Sequence, residues 1–275
     1  MIVKNLADLP FDELFHCFQS AFEHYYVKLS TDKSYYQQRW KASGVNFRFS
    51  YGMFDQGKLV GFVIHAVDHR QGALRAYNAG TGVLPEYRGN RIVASIYEYA
   101  LKDLQQNNIE QCTLEVIMEN EKAIRAYQSV GFEIKKKYLC FSGRLKENQL
   151  EIPEIMALDV NSIPWDELPN QTFYAWEHQK ETVLAGTYSF FKVLSDGTWE
   201  SFFIIKPENG YLAQFDVLTP DTAAWKRLFA AIQHISPTIK AINIDGRLVE
   251  KVAGLKRQGL ENPLNQYEME LLIQQ

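Results

Sequence analysis

The sequence predicts an α/β fold made of two similar domains, and three observations lead to this prediction. The hydrophobic residues change several times from the helical spacing of three and four to the alternation typical of strands. Strands and helices follow one another in both halves of the chain. A strand–helix–glycine–strand segment occurs twice, with Gly131 and Gly259 standing 128 positions apart. A length of 275 residues suits two domains.

The first half begins with helices and continues with strands. Phe11, Leu14 and Phe18 recur at helical spacing, Gly57 marks a hairpin between two alternating segments, and Gly131 ends a helix. The predicted elements are helices 10–26 and 32–42, strands 47–54, 59–67 and 73–84, helix 90–104, strand 113–117, helix 120–130 and strand 132–141.

The domain boundary is expected in 143–150, which is polar and has no clear period. This gives a first domain over 1–147 and a second over 148–275. The second domain is predicted to contain strands 183–193, 199–205 and 211–218, helix 221–232, strand 239–244, helix 247–258 and strand 265–272. The order of these last elements repeats the order in the first half, which favours two copies of one domain.

Composition excludes several classes of function. A net charge of −4 argues against a protein that coats nucleic acid or anionic membranes. No apolar run approaches the ~20 residues of a membrane span, and residues 1–11 do not resemble a signal peptide. Three distant cysteines and six scattered histidines lack the spacing of metal ligands, so we expect no metal. A cytoplasmic protein is the resulting expectation.

The most informative segment is 80–93, which lies between a strand and an amphipathic helix. The start of a helix carries unpaired N–H groups and the positive end of the helix dipole, which suit an anion such as a pyrophosphate. Gly89 allows the backbone to approach a ligand closely, and Arg88 and Arg91 add positive charge. The segment therefore predicts a phosphate-binding loop.

A second motif follows at a fixed distance, and the two together resemble the GNAT superfamily of acyl-CoA-dependent N-acyltransferases over about residues 1–142. The second motif consists of Asn120, Ala123, Ile124, Tyr127, Gly131 and Phe132. The resemblance implies a mixed central sheet flanked by helices, and acetyl-CoA as cosubstrate. It also implies that Val83 and Leu84 pair with the pantetheine amides. The residues implied around the pyrophosphate are Arg88, Gly89, Asn90, Arg91, Ile92 and Val93.

The loop departs from the family pattern at two positions. Arg91 and Val93 stand where the family has small residues. Arg91 either adds an ion pair to a phosphate or crowds the backbone that holds it. Because the main-chain donors survive either change, we expect acetyl-CoA binding to be retained.

Three residues are candidates for the chemistry of acyl transfer. Glu115 lies in a Leu-Glu-Val segment similar to one that holds a proposed base in family members acting on protein N-termini; the alternative is a carboxylate facing solvent. Tyr127 is the candidate proton donor to the departing thiolate, or else a packed helix aromatic. Asn120 is expected to cap its helix and to bond the cofactor arm, although capping alone explains it. The amine would attack the thioester directly.

The acceptor site is expected in the aromatic region of the first two helices. These side chains either line a site for an apolar or cationic acceptor or pack the helices on the sheet. They are Tyr25, Tyr26, Tyr35, Tyr36, Arg39 and Trp40.

The second copy has lost the candidate residues. Asn243, Leu248 and Leu255 stand at the positions of Glu115, Asn120 and Tyr127, and Asp221 opens its helix where phosphates would lie. The second domain is therefore predicted to be degenerate. It would complete the core, close the acceptor cleft or mediate a homodimer.

The sequence thus predicts an N-acetyltransferase that acts on a primary amine of a small molecule or a protein N-terminus. Two alternatives stay open at this point: a non-catalytic acyl-CoA-binding or regulatory protein, and a structural interaction module.

Overall fold

The computed structural model describes residues 1–23, 25–147 and 151–273. Its contacts form two compact units. The first contains Met1–Lys135 and Tyr267–Gln275, and the second contains Lys136–Gln266. The predicted domains 1–147 and 148–275 stay a prediction, and residues 148–150 at their boundary lie outside the described residues, as does His24 in the first predicted helix.

The first unit combines a helical pair with a sheet. Its strands are β1 (Ile2–Asn5), β2 (Tyr51–Asp55), β3 (Lys58–Arg70), β4 (Ala73–Val83) and β5 (Gln111–Ile117), and its helices are α1 (Phe11–Ala21), α2 (Lys33–Ser43), α3 (Ile92–Gln106) and α4 (Glu121–Val130). Strand β6 (Glu133–Arg144) starts here and continues into the second unit.

The sheet of the first unit is mixed. Its order is β1-β2-β3-β4-β5, followed by the last strand of the chain. Strands β1 to β4 pair antiparallel, whereas β4 and β5 pair in parallel. The parallel pair is joined by a crossover that contains α3, as a parallel connection requires. The predicted α/β class with a mixed sheet is therefore confirmed.

Local signals fix the ends of the helices. The Asp32 carboxylate accepts the Ser34 N–H at 2.8 Å before α2, which ends at Gly44 with φ +80°. Asn120 accepts the Ala123 N–H at 3.2 Å before α4, which ends at Gly131 with φ +110°. Asn120 and Gly131 are thus the cap and the helix end that the sequence predicted.

Two predictions in the first unit are wrong in detail. The predicted strand 47–54 starts with a 3₁₀ turn, Phe47–Phe49, because the Asn46 side chain accepts the Arg48 N–H at 3.0 Å and bends the chain. Helix 10–26 ends at Ala21 in the structure. Strand β1 was not predicted, since four residues with one exposed face give too short a pattern.

The second unit has the same alternation of strands and helices. Its further elements are β7 (Glu154–Ala157), α5 (Lys180–Ala185), β8 (Ser189–Ser195), β9 (Thr198–Lys206), β10 (Tyr211–Val217), α6 (Thr222–Ile235), β11 (Thr238–Asp245), α7 (Val249–Arg257) and the first half of β12 (Glu261–Leu272). The sheet order is β6-β11-β10-β9-β8-β7. Strands β10 and β11 are parallel, as β4 and β5 are in the first unit.

The predicted strand 183–193 is wrong in its first half. Residues Lys180–Ala185 form α5, and the strand begins at Ser189 after Gly186. Short apolar segments of this kind do not distinguish a buried helix from a strand. Strand β7 and four 3₁₀ turns between 160 and 178 were also absent from the prediction.

Each unit has its own hydrophobic core. In the first, α1 and α2 contribute a cluster of aromatic rings. The ring centroid of Phe18 lies within 5.9 Å of the ring centroids of Tyr36, Trp40 and Phe62. In the second, α6 packs Trp225 and Phe229 against Phe215 of β10. None of the described helices is long and apolar enough to span a membrane.

Candidate active site

Strands β4 and β5 separate inside the first unit. Their parallel pairing covers Arg75 to Tyr77 on β4 and Gln111 to Thr113 on β5, yet β4 continues to Val83 and β5 to Ile117. Beyond Tyr77 the two strands no longer pair with each other, so their facing backbone groups border an opening. An opening of this kind offers hydrogen-bonding groups to an extended ligand with amide bonds.

The loop before α3 exposes its backbone beside this opening. Gly89 has φ +85°, and a Cβ built on it would meet no atom within 4 Å among the described residues. Asn90 holds the loop by donating to the Tyr87 carbonyl at 3.1 Å. Arg91 occupies the N-cap of α3 with φ +53° and, in the described structure, makes no side-chain capping bond. The first N–H groups of α3 therefore fit an anionic ligand such as a pyrophosphate.

The other loop residues with predicted cofactor contacts serve the fold as well. The Arg88 guanidinium donates to the carbonyls of Val83 at 3.3 Å and Ala21 at 2.9 Å, which ties the loop to α1. Leu84 is buried, and its N–H donates to the Val60 carbonyl at 3.0 Å. Ile92 is also buried, whereas Val93 is half-buried on α3. Only backbone groups of Ile92 and Val93 would serve a phosphate.

Tyr127 lies buried on α4 and faces β4. Burial raises the pKa of Tyr127 to about 12, while hydrogen bonds with the side chains of Thr81 and Asn78 oppose this rise. The phenol is thus held in its protonated form at neutral pH. A protonated hydroxyl at this place can donate to a leaving group.

Asn120 and Tyr25 form a second contact near Tyr127. Asn120 caps α4 through its Oδ1 atom, and its side chain also hydrogen-bonds to Tyr25, whose pKa is raised by burial. The neighbouring Tyr26 hydroxyl donates to the Glu119 carbonyl at 3.2 Å. The segment after α1 therefore packs against the turn between β5 and α4. The structure brings Tyr127, Asn120 and Tyr25 together.

Glu115 lies on the opposite face of the sheet from Tyr127. Cys112 of β5 hydrogen-bonds to Tyr97 of α3, and side chains of a strand alternate between the two faces, so Glu115 points away from α3. There its carboxylate accepts a short hydrogen bond from the Tyr77 hydroxyl on β4. The proton-accepting candidate and the proton-donating candidate thus approach the opening from its two sides.

The aromatic region divides into core and surface. Tyr36 and Trp40 are 2% and 3% exposed and belong to the ring cluster beneath α1 and α2. Tyr35 and Tyr26 are 44% and 53% exposed. For Tyr36 and Trp40 the packing alternative therefore holds, whereas Tyr25 and Tyr26 lie beside Asn120 and Glu119 and remain candidates for acceptor contact.

The corresponding place in the second unit is occupied differently. The Asp221 carboxylate accepts the Ala224 N–H at 3.0 Å and caps α6, where α3 presents bare N–H groups. Lys251 of α7 forms a buried ion pair with Asp216 of β10 at 2.8 Å. A cavity of about 610 Å³ remains between them and Trp225. Carboxylates at this helix start disfavour phosphates.

Sequence reasoning missed Tyr77, Asn78 and Thr81. The available signal was the polar and glycine-rich stretch 77–82 inside a strand, which is typical of a bulge or a close approach. Within 1–23, 25–147 and 151–273, no group of three His, Cys, Asp or Glu side chains could hold a metal ion.

Part of the chain is similar in sequence to known proteins. Residues 11–132 match the model of the acetyltransferase (GNAT) family. N-alpha-acetyltransferase 30 of Schizosaccharomyces pombe is 32% identical over 85 residues, which are 30% of this chain and 57% of that protein. N-alpha-acetyltransferase MAK3 of Arabidopsis thaliana is 35% identical over 80 residues, which are 29% of this chain and 42% of that protein. The chain thus spans about half the length of these relatives.

A solved structure covers both units. A tandem GNAT protein from the clavulanic acid biosynthesis pathway has a TM-score of 0.69 to this chain at 11% identity, covering 100% of this chain and 99% of that one. At this identity the likeness shows the fold alone.

Proposed function

Because residues 11–132 match the model of the acetyltransferase (GNAT) family, we propose that the chain transfers an acetyl group from acetyl-CoA to a primary amine. The observation that carries the proposal is the opening between β4 and β5 beyond Tyr77 and Thr113, with the exposed start of α3 beside it. Backbone groups of the opening suit the amides of pantetheine, and the α3 N-terminus suits the pyrophosphate.

The side chains around the opening support direct transfer. In this proposal Glu115 accepts a proton from the attacking amine and Tyr127 donates one to the departing sulfur; the Tyr77–Glu115 hydrogen bond and the protonated phenol of Tyr127 support these roles. The amine nitrogen forms a bond to the carbonyl carbon, the carbon–sulfur bond breaks, and the sulfur leaves with the electron pair. Asn120, which hydrogen-bonds to Tyr25, bonds the cofactor arm in this proposal.

The acceptor class that we favour is the α-amine of a protein N-terminus. The similarity to two N-alpha-acetyltransferases supports this choice. The exposed ring of Tyr26 and the half-buried ring of Tyr25, beside the β5–α4 turn, offer an apolar surface for the first side chain of a peptide. A small primary amine is the alternative acceptor.

A second function, binding acyl-CoA without transfer, is favoured by Arg91 and Val93 at positions where the family has small residues. The two functions differ in turnover and not in binding. A chain that binds acetyl-CoA and acetylates none of a panel of peptides and small amines would support the second function.

The test combines binding and turnover. Acetyl-CoA should raise the thermal unfolding midpoint, because a ligand of the native state stabilises it by mass action. With an accepted amine, Tyr127→Phe should lower kcat by ~10²–10⁴ with little change in acetyl-CoA affinity. The matched variant Tyr99→Phe removes an exposed hydroxyl from α3 and should leave kcat unchanged. Equal kcat in both variants would assign Tyr127 to packing.

Glu115→Gln tests the proton acceptor separately. In the unmodified chain, activity should fall at low pH as the Glu115 carboxylate becomes protonated. Glu115→Gln should have a lower kcat/KM that no longer falls at low pH. An unchanged pH profile of kcat/KM would exclude Glu115 as the base.

A further inference from the structure

A bulge in β4 brings two polar side chains to the same face of the sheet. The pairing of β3 with β4 runs Ile64 to Gly80 and then His65 to Asn78, so Ala79 is an extra residue. In a regular strand Asn78 and Thr81, three positions apart, would point to opposite faces. The extra residue shifts the alternation by one and turns both side chains toward α3 and α4.

The Asn78 amide has a single orientation in this network. Its Oδ1 atom accepts the Gly80 N–H at 3.0 Å, so the other end of the amide carries the hydrogens. Those hydrogens go to the Thr81 hydroxyl oxygen at 2.7 Å and to the Tyr97 hydroxyl oxygen at 2.9 Å. Asn78 is only 6% exposed, which protects these bonds from competing water.

The hydrogen bond from Asn78 leaves the Thr81 hydroxyl hydrogen free to be donated. Because the Thr81 oxygen already accepts from Asn78, its own hydrogen is available to a further acceptor. The Tyr127 hydroxyl on α4 is hydrogen-bonded to the side chains of both Thr81 and Asn78. If Thr81 donates in this bond, Tyr127 must direct its own hydrogen elsewhere.

We propose that Asn78 and Thr81 are positioning residues, which fix the direction of the hydrogen bond to Tyr127 so that its proton points to the sulfur of CoA. This proposal rests on the proposed function. It gives Thr81 the role of a donor that also stabilises the phenolate formed when Tyr127 gives up its proton. Both effects help a buried phenol, whose pKa is raised to about 12, to act as an acid.

The proton balance of the step is complete. When the amine attacks, the carbon–sulfur bond breaks and the thiolate takes the Tyr127 proton, which leaves CoA with a thiol. The phenolate keeps the hydrogen bond from Thr81. The proton that Glu115 takes from the amine returns through solvent and restores the Tyr127 hydroxyl, so no further reactant is needed.

The far side of the network anchors Asn78. Tyr97 accepts from Asn78 and hydrogen-bonds to Cys112, whose pKa burial raises to about 12. The Cys112 sulfur lies 3.7 Å from the His65 Nε2 atom, and the His65 Nδ1 atom contacts the Phe49 carbonyl at 2.7 Å. This chain of buried bonds holds the Asn78 amide in place.

The test measures the acidity of bound CoA and needs no acceptor. The thiolate of CoA is titrated by its ultraviolet absorbance, as the difference between liganded and free protein. A donor aimed at the sulfur stabilises the thiolate, so Tyr127→Phe should lower the acid dissociation constant of the bound thiol by about tenfold. Thr81→Val should lower it by about threefold to tenfold, and Thr81→Ser, which restores the hydroxyl, should return it to the original value.

Two further variants separate orientation from packing. Asn78→Asp removes the Nδ2 donors at constant size, so Thr81 and Tyr127 both donate to the carboxylate. The acid dissociation constant of the bound thiol should then fall at least as far as in Thr81→Val. Ser129→Ala removes an exposed hydroxyl from α4 and should leave the acid dissociation constant of the bound thiol unchanged. With an accepted amine, Thr81→Val should lower kcat about tenfold at constant KM for acetyl-CoA.

The outcomes distinguish this inference from the proposed function. Suppose that CoA binds and that Tyr127→Phe lowers the acid dissociation constant of the bound thiol, whereas Thr81→Val leaves this constant unchanged. The positioning role is then refuted, and the proposed use of acetyl-CoA stands. If Tyr127→Phe leaves the bound thiol unchanged, Tyr127 does not face the sulfur and the inference is again refuted. If CoA does not bind, both proposals fall.

Discussion

Arg91 adopts a backbone conformation that suits glycine. Its φ of +53° lies in the left-handed region, which costs a residue with a Cβ atom about 1–2 kcal/mol. Its neighbour Gly89 has a similar φ of +85° at no such cost. Arg91 is the N-cap of α3, so the strain is located at the helix start where an anion would bind.

Arg91→Gly separates strain from charge. The variant should raise the free energy of unfolding by up to about 1 kcal/mol, because the left-handed strain disappears. Arg91→Ala keeps the Cβ atom and should bring no such gain. Both variants should weaken acetyl-CoA binding about threefold to tenfold, since each removes a cation near the pyrophosphate. Calorimetry measures both quantities; tighter binding by Arg91→Gly would show that the side chain crowds the loop.

His65 makes stability depend on pH. It is fully buried, and burial lowers its pKa from 6.5 to about 4, so the folded chain keeps it neutral where the unfolded chain binds a proton. The unfolded state therefore gains protons as pH falls from 6.5 to 4, and this group should remove about 3 kcal/mol of stability across that window.

Denaturant unfolding at several pH values checks this dependence. His65→Gln should flatten the slope between pH 6.5 and 4, whatever its effect on absolute stability. His69→Gln, an exposed histidine on the same strand, should leave the slope intact. An equal slope in the unmodified chain and His65→Gln would place the titrating group elsewhere.

At the site, the sequence predicted individual residues better than their partners. Tyr127 and Asn120 became candidates through a motif at one helix and through the family that this motif resembles. Tyr77 and Thr81 were not, because their roles depend on the bulge at Ala79 and on pairing across strands. A pattern along the chain does not contain these contacts.

At the scale of elements, periodicity was sufficient for helices and strands with one clear apolar face. α3 and α4 agree with their predicted ranges to within two residues at each end. α5 was mistaken for a strand because its six residues are too few to show a period. The short edge strands β1 and β7 were missed for the same reason.

A buried ion pair joins α7 to β10 in the second unit. Lys251 Nζ lies 2.8 Å from the Asp216 carboxylate and donates to the Tyr174 hydroxyl at 3.1 Å. Burial opposes the charged ammonium, yet Tyr174 and Asp216 together raise the pKa of Lys251. Asn170 donates to the same carboxylate at 2.8 Å, so the charges are compensated within the described structure.

Removing one partner of this pair should be costly. Lys251→Met should lower the free energy of unfolding by about 3–5 kcal/mol, because Asp216 stays buried without its cation. The double variant Lys251→Met with Asp216→Leu should recover most of that loss. Lys256→Met, on the exposed face of α7, serves as control. Urea unfolding of the two single variants and the double variant measures these free energies. A loss of stability in the double variant equal to the sum of the two single losses would contradict the coupling of Lys251 and Asp216.

At the scale of the whole molecule, the bounds of the two compact units differ from those of the two sequence copies, because each copy gives its last strand to the other unit. Residues 267–273 belong to the first unit and bring the buried Met269 and Ile273 into its core. Residues 136–147, which follow the first copy of the motif, belong to the second unit. The sequence showed the repeat but not the exchange, because both strands have the same alternating pattern.

The exchange predicts a long-range effect of Met269. Met269→Ala should lower the stability of the first unit by about 2–5 kcal/mol, since it leaves a cavity in a core built mainly from residues 1–135. Leu272→Ala, 66% exposed on the same strand, should change it by less than about 0.5 kcal/mol. The measurement is the unfolding transition that acetyl-CoA shifts. An unaffected transition in Met269→Ala would refute the exchange.

The central claim is that the first unit alone holds acetyl-CoA. Isothermal titration calorimetry should find one acetyl-CoA per chain. Arg91→Glu should weaken it at least about tenfold, because a carboxylate replaces a cation at the start of α3. Thr222→Glu places a carboxylate at the corresponding start of α6 and should leave the affinity for acetyl-CoA unchanged. Two equal sites per chain, or a single site that Thr222→Glu abolishes and Arg91→Glu leaves intact, would contradict the account.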